Sequence, residues 1–314
     1  AHHHLYPANH WRGAGGPYLL PEFARDLADG HNVLATVYVE CSQLYRQTGP
    51  EQLRVAGEAE FAAVIGRLSD TGHFGSTKVC AAFVGRADLE AGEEVEIVLE
   101  ALMDASDGRL RGIRSPTVWD ADPGINASAR PFSPPGLMAE PGFREGVRRL
   151  AAHDLVYDAW QFYPQLGELG ALADAVPHAT IACGHCGGLV GTRGYANPDN
   201  FYRWREQIVD LARHPNVVMK LGGLANDRTG FGFGARTDRP SEDELVKLWR
   251  PYIETCIEAF GAERCLFESN FPVDQLAASY RTLWTVYKRI AADCSTDEKS
   301  ALFAGTARRI YRLP

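Results

Sequence analysis

Residues 179–188 read Ala-Thr-Ile-Ala-Cys-Gly-His-Cys-Gly-Gly, an apolar run that ends in a histidine and two glycines. The chain opens on a similar short run, in which His2 and His4 precede Leu5. A third run, residues 265–268, leads into polar residues near the C-terminus. In a parallel barrel the carboxyl ends of all strands meet on one face, and that face carries the chemistry. These three distant places are therefore predicted to share one pocket.

Short β-branched or apolar runs alternate with longer segments of helical periodicity along the whole chain. The predicted strands are His2–Leu5, Val33–Cys41, Lys78–Val84, Gly112–Arg114, Val156–Phe162, Ala179–Cys183, Val217–Leu221 and Cys265–Glu268. The predicted helices include Glu51–Leu68, Leu89–Ala105, Gly142–Ala152, Asn200–Arg213 and Glu242–Phe260, with capping boxes at Ser241/Glu244 and Ser295/Glu298. Eight strands alternating with helices predict an α/β fold, a (β/α)8 TIM barrel, as one domain over residues 1–314. A doubly wound open sheet is the alternative, but no glycine-rich dinucleotide fingerprint follows the first strand.

Three long segments rich in glycine and proline follow predicted strands rather than predicted helices. They run over residues 115–141, 187–198 and 222–240. Loops that follow the strands of a barrel lie on its catalytic face. We therefore expect long catalytic-face loops, with lid and specificity elements beside the histidines.

Composition narrows the functional class. The net charge of −8 and the lack of a basic run argue against nucleic acid as a partner. No apolar stretch approaches the length of about 18 residues that a membrane span needs. Seven cysteines, an odd number, argue against a disulfide framework, so a reducing cytoplasm is the expected location. We expect a small-molecule substrate and a homo-oligomer.

The histidines have the spacing of metal ligands. His2 and His4 are two residues apart, which on a strand puts both side chains on one face, as a ligand pair for a divalent ion requires. Three histidines at a chain end are also what a purification tag leaves, although this run continues into Leu5. The glycines after His185 let a ligand approach closely. Residues 183–186 also spell a disulfide-isomerase tetrapeptide, but that motif needs an exposed cysteine at a helix start.

Charged and aromatic residues close several of the predicted strands. Glu40, Arg114 and Lys220 each lie near the end of an otherwise apolar run. A buried charge needs a partner or a function, so these residues either serve the site or form an ion-pair layer in the barrel. Residues 157–163 alternate polar and aromatic side chains, which places Trp160 and Tyr163 on opposite faces of the run.

Five segments together resemble the amidohydrolase-2 branch of the amidohydrolase superfamily. That branch of TIM-barrel hydrolases contains lactonases such as L-fuconolactonase and the pyrone-dicarboxylate and sulfomuconolactone hydrolases. The similar segments, in chain order, are His2-His3-His4-Leu5, Arg111-Gly112-Ile113-Arg114, Gly184-His185-Cys186-Gly187-Gly188, Lys220-Leu221-Gly222-Gly223-Leu224 and Glu268-Ser269-Asn270-Phe271-Pro272. Each segment is short, but five in the right order are specific.

The resemblance implies a hydrolase that opens a lactone, or a related ester or amide, of a small, anionic, cyclic substrate. His2, His4 and His185 would hold one divalent ion, expected to be zinc, or would polarise the carbonyl directly in a metal-independent enzyme. Arg114 would bind a substrate carboxylate, which its forked guanidinium suits. The further predicted substrate contacts are Trp160, Tyr163 and Lys220. The alternatives are a decarboxylase of the same branch and a catalytically dead barrel that binds a ligand.

The general base is the open point of this resemblance. Asn270 occupies the position of the family's eighth-strand aspartate, and an amide cannot act as a general base. Among carboxylates that could replace it, we rank Asp274 in the following loop slightly above Glu40, and both above Glu268. The predicted catalytic residues are therefore His185, Asp274, Glu40 and Asn270.

Overall fold

The computed structural model describes residues 2–7, 16–126 and 133–314 and contains one sheet of eight parallel strands. The strands are β1 (His2–His3), β2 (Ala35–Val39), β3 (Lys78–Arg86), β4 (Leu110–Arg114), β5 (Val156–Ala159), β6 (Ile181–Cys183), β7 (Val217–Leu221) and β8 (Cys265–Phe267). Each strand pairs with the next in chain order. The ring closes where the His4 amide donates to the Phe271 carbonyl at 2.8 Å. The predicted (β/α)8 barrel is confirmed.

Helices connect successive strands and surround the sheet. In the described residues they are α1 (Leu20–Leu27), α2 (Ala56–Asp70), α3 (Val95–Ala105), α4 (Pro123–Asn126), α5 (Pro141–Ala152), α6 (Leu166–Ala175), α7 (His185–Gly188), α8 (Asn200–Leu211), α9 (Glu242–Phe260), α10 (Tyr280–Ile290), α11 (Thr296–Ser300) and α12 (Thr306–Tyr311). The capping box predicted at Ser295 and Glu298 is complete, and the Ser241 hydroxyl accepts the Glu244 amide. These polar caps satisfy amide groups that the first helical turn leaves free.

The core has two parts, because alternate residues of each barrel strand point inward. The inward-facing residues form a small apolar cluster of Val37, Val39, Ala82, Val84, Val156, Ala182, Val218 and Leu266. Helix α12 packs Ala307, Ile310 and Tyr311 against this cluster and plugs that end of the barrel. The outward-facing residues join the helices in a second, much larger cluster.

Some strand ends differ from the predicted ones. β1 and β5 end earlier than predicted, at His3 and Ala159, while β3 extends two residues further, to Arg86. The three long loops follow β4, β6 and β7 as predicted, and residues 127–132 of the first loop lie outside the described residues. All seven cysteines are free thiols. Among the helices described, none has the length and apolar character needed to cross a membrane.

Candidate active site

A layer of buried charges lies in the lumen directly above the apolar cluster. Asp158, Lys220 and Glu268 each follow, by two residues, an inward-facing residue of that cluster, so strand alternation turns them inward as well. Arg114 donates to Asp158 from Nε at 3.0 Å and from Nη2 at 2.6 Å. Lys220 Nζ continues the chain of contacts, 2.8 Å from Asp158 Oδ2 and 3.1 Å from Glu268 Oε2. Two cations and two anions alternate, so the layer carries no net charge.

The Glu268 carboxylate fixes two histidines at once. Its Oε2 lies 2.6 Å from His2 Nδ1, and its Oε1 lies 2.6 Å from His185 Nδ1. A carboxylate only accepts hydrogen bonds, so we assign the ring hydrogen of each histidine to Nδ1. Burial opposes the charge on Glu268, but its contacts with His185, Lys220 and His2 hold the pKa of this carboxyl well below its usual range. Both imidazoles therefore keep Nε2 as a free lone pair.

His4 completes the group from the same strand as His2. Its Nδ1 donates to the Val39 carbonyl at 2.8 Å, and its Nε2 lies 2.9 Å from His2 Nε2. Burial, followed by the charge of Arg114, lowers the pKa of His4 to about 3, and burial also lowers the pKa of His2 and of His185. All three rings are therefore neutral at pH 7, which is the form that binds a metal.

Buried side chains at this place could hold a divalent ion. With both Nδ1 atoms donating, the Nε2 lone pairs of His2 and His4 face one another across 2.9 Å, an arrangement that a cation beside them would stabilise. The ring of His185 stacks on that of His2 with centroids 5.3 Å apart. Among the described residues, the group whose ligand atoms lie within 4.8 Å of one another is His2, His185 and Glu268; it contains two of the predicted ligands and, in place of His4, the Glu268 carboxylate. A carboxylate that orients metal-binding histidines is a common outer partner of zinc.

A strained turn presents His185 to the lumen. The backbone φ is positive at His185 (57°) and Cys186 (50°), conformations that side chains with a Cβ rarely adopt. At Gly188, also with positive φ, a Cβ would lie only 1.9 Å from the Gln161 carbonyl oxygen. At Gly223 a Cβ would lie 2.3 Å from His185 Nδ1, so only glycine leaves room for the ring. Strain of this kind concentrates at functional sites.

Asn270 and Asp274 form a pair beside these histidines. Asn270 Nδ2 donates to Asp274 Oδ1 at 2.8 Å, and both side chains are buried. Asp274 Oδ2 has no hydrogen-bond partner among the described residues. Burial raises the pKa of Asp274 to about 8, and the nearby charge of Glu268 acts in the same direction. The amide at position 270 therefore holds a carboxyl group whose second oxygen remains free.

The substrate contacts predicted from the sequence lie in different places. Trp160 packs edge-on against His185, with ring centroids 4.9 Å apart, and the Arg228 guanidinium lies 4.8 Å from the Trp160 ring centre. Tyr163 is directed elsewhere: its hydroxyl donates to Asn200 Oδ1 at 2.6 Å. Lys220 is completely buried within the charge layer, where its Nζ also lies 3.0 Å from His2 Nδ1. Trp160 and Arg228 thus border the histidines, whereas Tyr163 packs toward α8.

Two arginines of the long loops belong to ion pairs at the surface. Arg193 pairs with Asp122, and Arg236 pairs with Glu244. Glu40 lies buried just after β2, and its Oε2 has no partner among the described residues.

The comparisons with known proteins agree with this geometry. The family profile described as Amidohydrolase matches residues 1–313. An L-fucono-1,5-lactonase of Burkholderia multivorans is 32% identical over 235 residues, which are 74% of this chain and 72% of that protein. A crystal structure of an amidohydrolase from Burkholderia multivorans with bound zinc is 28% identical, has a TM-score of 0.73 and covers 100% of this chain and 98% of its own. A probable 2-pyrone-4,6-dicarboxylic acid hydrolase from Acinetobacter baumannii, 13% identical with a TM-score of 0.64, covers 99% and 97% and shares the fold.

The chain belongs to the amidohydrolase family and is a hydrolase. The predicted family is thereby confirmed across almost the whole chain.

The sequence patterns alone did not indicate how closely two residues, Glu268 and Asp158, are involved in the site. Glu268 ranked last among the candidate bases, yet it contacts both His2 and His185. Its Oε2 also lies 3.1 Å from Lys220 Nζ. Asp158 was recognised only as part of an alternating run. Each of the two is a charged residue two positions after an inward-facing apolar residue. Their inward orientation can be predicted only once the inward face of each strand is known.

Proposed function

We propose that this protein hydrolyses a lactone of a small, anionic, cyclic substrate at the carboxyl-terminal face of the barrel. The observation that carries the proposal is the convergence of His2, His4 and His185, with two of these rings fixed by a single carboxylate. The relationship to an L-fucono-1,5-lactonase supports lactone hydrolysis as the reaction.

In this proposal a zinc ion would be held by the Nε2 atoms of His2, His4 and His185 and, when bound, would supply electrophilic assistance to a lactone carbonyl and acidify water. Glu268 orients two of these rings by accepting from Nδ1. We propose Lys220 as a positioning residue for that carboxylate, because all of its contacts lie within the charge layer.

We propose Asp274 as the general base. Asn270 occupies Oδ1 and leaves Oδ2 free to accept a proton from the attacking water. A carboxyl with a pKa of about 8 is matched to proton transfer near neutral pH. The proton then passes from Asp274 to the leaving ring oxygen, which becomes the hydroxyl of the opened product, and Asp274 returns to its starting state.

We propose that the substrate lies against Trp160, which forms an apolar wall beside His185. Arg114 uses one face of its guanidinium for Asp158 and has N–H groups left for a substrate carboxylate. The contact between Tyr163 and the substrate stays a prediction.

The test is hydrolysis itself. Purified protein, with no tag and no chelator, is assayed against L-fucono-1,5-lactone and against lactones that bear a carboxylate, with acid release followed by a pH indicator. We expect turnover of a lactone and about one zinc per chain by elemental analysis. The His185→Asn variant should lose both.

Other outcomes would overturn the proposal. Release of CO2 from an aromatic carboxylic acid, without lactone opening, would favour the decarboxylase. Ligand binding without turnover of any substrate would favour a binding barrel. Full activity with less than about 0.1 metal per chain would remove the ion from the mechanism.

A further inference from the structure

A tyrosine that plays no part in the proposed chemistry reaches the site from the outer side of the barrel. Tyr287 on α10 is completely buried, and its Oη has no hydrogen-bond partner among the described residues. Within the same part of the chain, Asp274 Oδ2 also lacks a partner. Buried polar atoms are normally paired, so the free hydroxyl and the free carboxyl oxygen each call for a partner.

Aromatic packing fixes the direction of the Tyr287 side chain. Its ring stacks on that of Phe267 on β8, with centroids 4.7 Å apart. Trp284 packs against it edge-on at 5.7 Å, and Trp249 on α9 lies at 6.1 Å. Because protein interiors are closely packed, the phenol cannot turn toward another partner without displacing these rings. The position of the hydroxyl is therefore set by the fold.

Two glycines that follow β7 give the hydroxyl access to the site. A Cβ at Gly222 would lie 3.1 Å from Tyr287 Oη and 2.6 Å from Glu268 Cγ. At the next residue, Gly223, a Cβ would meet the His185 ring instead. The tyrosine hydroxyl and the histidine ring thus contact neighbouring residues of one short segment.

Asp274 contacts the same segment. Its carboxyl lies against the Gly223 amide, one residue from the glycine that Tyr287 contacts. Burial raises the pKa of Tyr287 well above its usual range, and the charge of Asp274 acts in the same direction. The hydroxyl therefore keeps its proton and is a hydrogen-bond donor beside a carboxyl group.

Other titratable groups also face this pair. Glu268 on β8 acts to raise the pKa of Asp274, and Arg228 in the loop after β7 acts to lower it. Cys186, in the turn after β6, faces Tyr287. All of these groups stay in place when the Tyr287 hydroxyl alone is removed, so a variant at position 287 isolates the effect of that hydroxyl.

We infer that Tyr287 is a positioning residue for Asp274: its hydroxyl donates to one water, which in turn donates to the free Oδ2 of the ionised carboxylate. Tyr287 Oη and Asp274 Oδ2 do not bond each other directly, and a bridging water is the usual partner of buried polar groups of this kind. The inference rests on the proposed function, in which Asp274 is the base, and adds the group that holds the base.

The link leaves the base able to act. A carboxylate oxygen has two acceptor positions, so Oδ2 can accept from the bridging water and still take a proton from the attacking water. A donor to the charged form of a carboxyl favours that form. Tyr287 therefore keeps more of Asp274 ionised at neutral pH.

Removal of the hydroxyl tests this link. Tyr287→Phe retains the ring and its packing, and it is assayed as zinc-loaded protein on the lactone that the wild type opens fastest. We expect the midpoint of the pH profile of kcat/KM to move upward by about one pH unit, because the carboxylate loses a donor. At pH 7, kcat should fall by about 10-fold while KM stays within about 3-fold. The matched control is Tyr280→Phe, which removes a buried hydroxyl from the same helix and should leave the profile unchanged.

A second readout needs no turnover. Zinc-loaded protein is labelled with carbon-13 at the aspartate carboxyl carbons, and the Asp274 resonance is identified by its loss in Asp274→Asn. The titration midpoint of this resonance should be higher by about one pH unit in Tyr287→Phe than in the wild type. Tyr280→Phe should titrate as the wild type does.

The outcomes separate this inference from the proposed function. An unmoved Asp274 midpoint in Tyr287→Phe would overturn the inference, whether or not Tm falls, because the tyrosine would then only pack α10 against the barrel. If the midpoint moves but the wild type opens no lactone, the link stands and the proposed reaction fails. If the midpoint moves and the pH profile of lactone opening does not follow it, the link stands and Asp274 is not the base.

Discussion

Asn270 and Asp274 show how the residue type at one position changes which side chain can accept a proton. The amide at 270 cannot take a proton, but it can donate, and it uses its Nδ2 to hold Asp274. Asp274 lies four residues further along the chain and next to Gly223, and Gly223 in turn lies against the His185 ring. We propose that Asp274, four residues further on, serves in place of the carboxylate that the family motif has on the strand.

Asp274→Asn tests that role. We expect kcat to fall by about 10²–10⁴-fold, because the variant retains the shape of the side chain but cannot accept the proton. In the wild type, kcat/KM should rise with pH toward about 8, since only the ionised carboxyl is the base. Asp104→Asn on the surface of α3 is the matched control, and circular dichroism checks folding. A loss below 10-fold, with the pH profile unchanged, would exclude Asp274 as the base.

Glu268→Gln tests the carboxylate that joins the two histidines. Glutamine keeps one acceptor oxygen but removes the negative charge, so one imidazole loses its partner and Lys220 loses half of its neutralisation. We expect zinc affinity to fall by about 10–100-fold, as for other outer partners of metal-bound histidines. Competition with a chromophoric chelator measures the affinity, and Glu90→Gln at the surface is the control. Unchanged affinity would mean that Glu268 does not orient the ligands.

At the scale of elements, the turn after β6 places His185 by means of its glycines. Gly188 adopts positive φ (75°) and lies against the Gln161 carbonyl, so any side chain there must push one of the two segments away. Because His185 begins this turn, its displacement would move one of the proposed metal ligands.

Gly188→Ala should therefore destabilise the protein by more than about 1 kcal/mol, since alanine is strained at positive φ and its Cβ meets a backbone oxygen. Zinc affinity should fall with it. Gly194→Ala is the matched control, because a Cβ there meets nothing within 4 Å and φ is not positive. Urea unfolding and zinc titration of both variants provide the measurement. Equal behaviour of the two variants would contradict the role of the turn.

The elements of this fold could be predicted from the sequence more readily than its side-chain partners. Eight apolar runs alternating with amphipathic helices indicate a barrel, and a barrel brings strand ends together whatever their separation in the chain. That reasoning was sufficient to group His2, His4 and His185. It could not pair Glu268 with His2, because the contact joins residues 266 positions apart and depends on which face of each strand is inward.

Strand length limited the prediction in a second way. The third strand was predicted to end at Val84, whereas β3 continues to Arg86. The two additional residues decide whether Arg86 is a loop residue or an inward-facing one. For Tyr163 the strand is shorter than predicted. β5 ends at Ala159, so the alternation predicted through residue 163 does not hold there.

At the scale of the whole molecule, the catalytic end of the barrel holds an alternating set of buried charges whose individual members are costly to bury. Their mutual attraction offsets the desolvation cost only when all four ions are present, since each carboxylate contacts a cation and each cation contacts a carboxylate. Glu58 and Asp274 lie outside this balanced set and lack a cationic partner within an ion pair among the described residues. Burial raises the pKa of both to about 8.

These two carboxyls predict how stability depends on pH between about 6.5 and 8. In that window the folded protein still holds both protons, whereas the unfolded chain, with ordinary carboxyl pKa values near 4, has released them. The free energy of unfolding should therefore fall as pH rises, by up to about 1.4 kcal/mol per pH unit for each proton. The four buried histidines with lowered pKa values, His2, His3, His4 and His185, act in the opposite direction near pH 6.5, where the unfolded imidazoles are about half protonated, and this effect is lost by pH 8, so the fall in stability is steepest in the upper part of the window.

The variant that tests this slope is Glu58→Gln combined with Asp274→Asn, which keeps both shapes and removes both titrations. Urea unfolding of the metal-free protein, in EDTA at pH 6.5 and pH 8, gives the two free energies. We expect the wild type to lose stability across this interval and the double variant to lose much less, so that the variant gains relative to the wild type at pH 8. Glu90→Gln with Asp104→Asn, both at the surface, is the matched double control. Parallel slopes for the wild type and the variant would show that neither carboxyl carries a raised pKa in the folded protein.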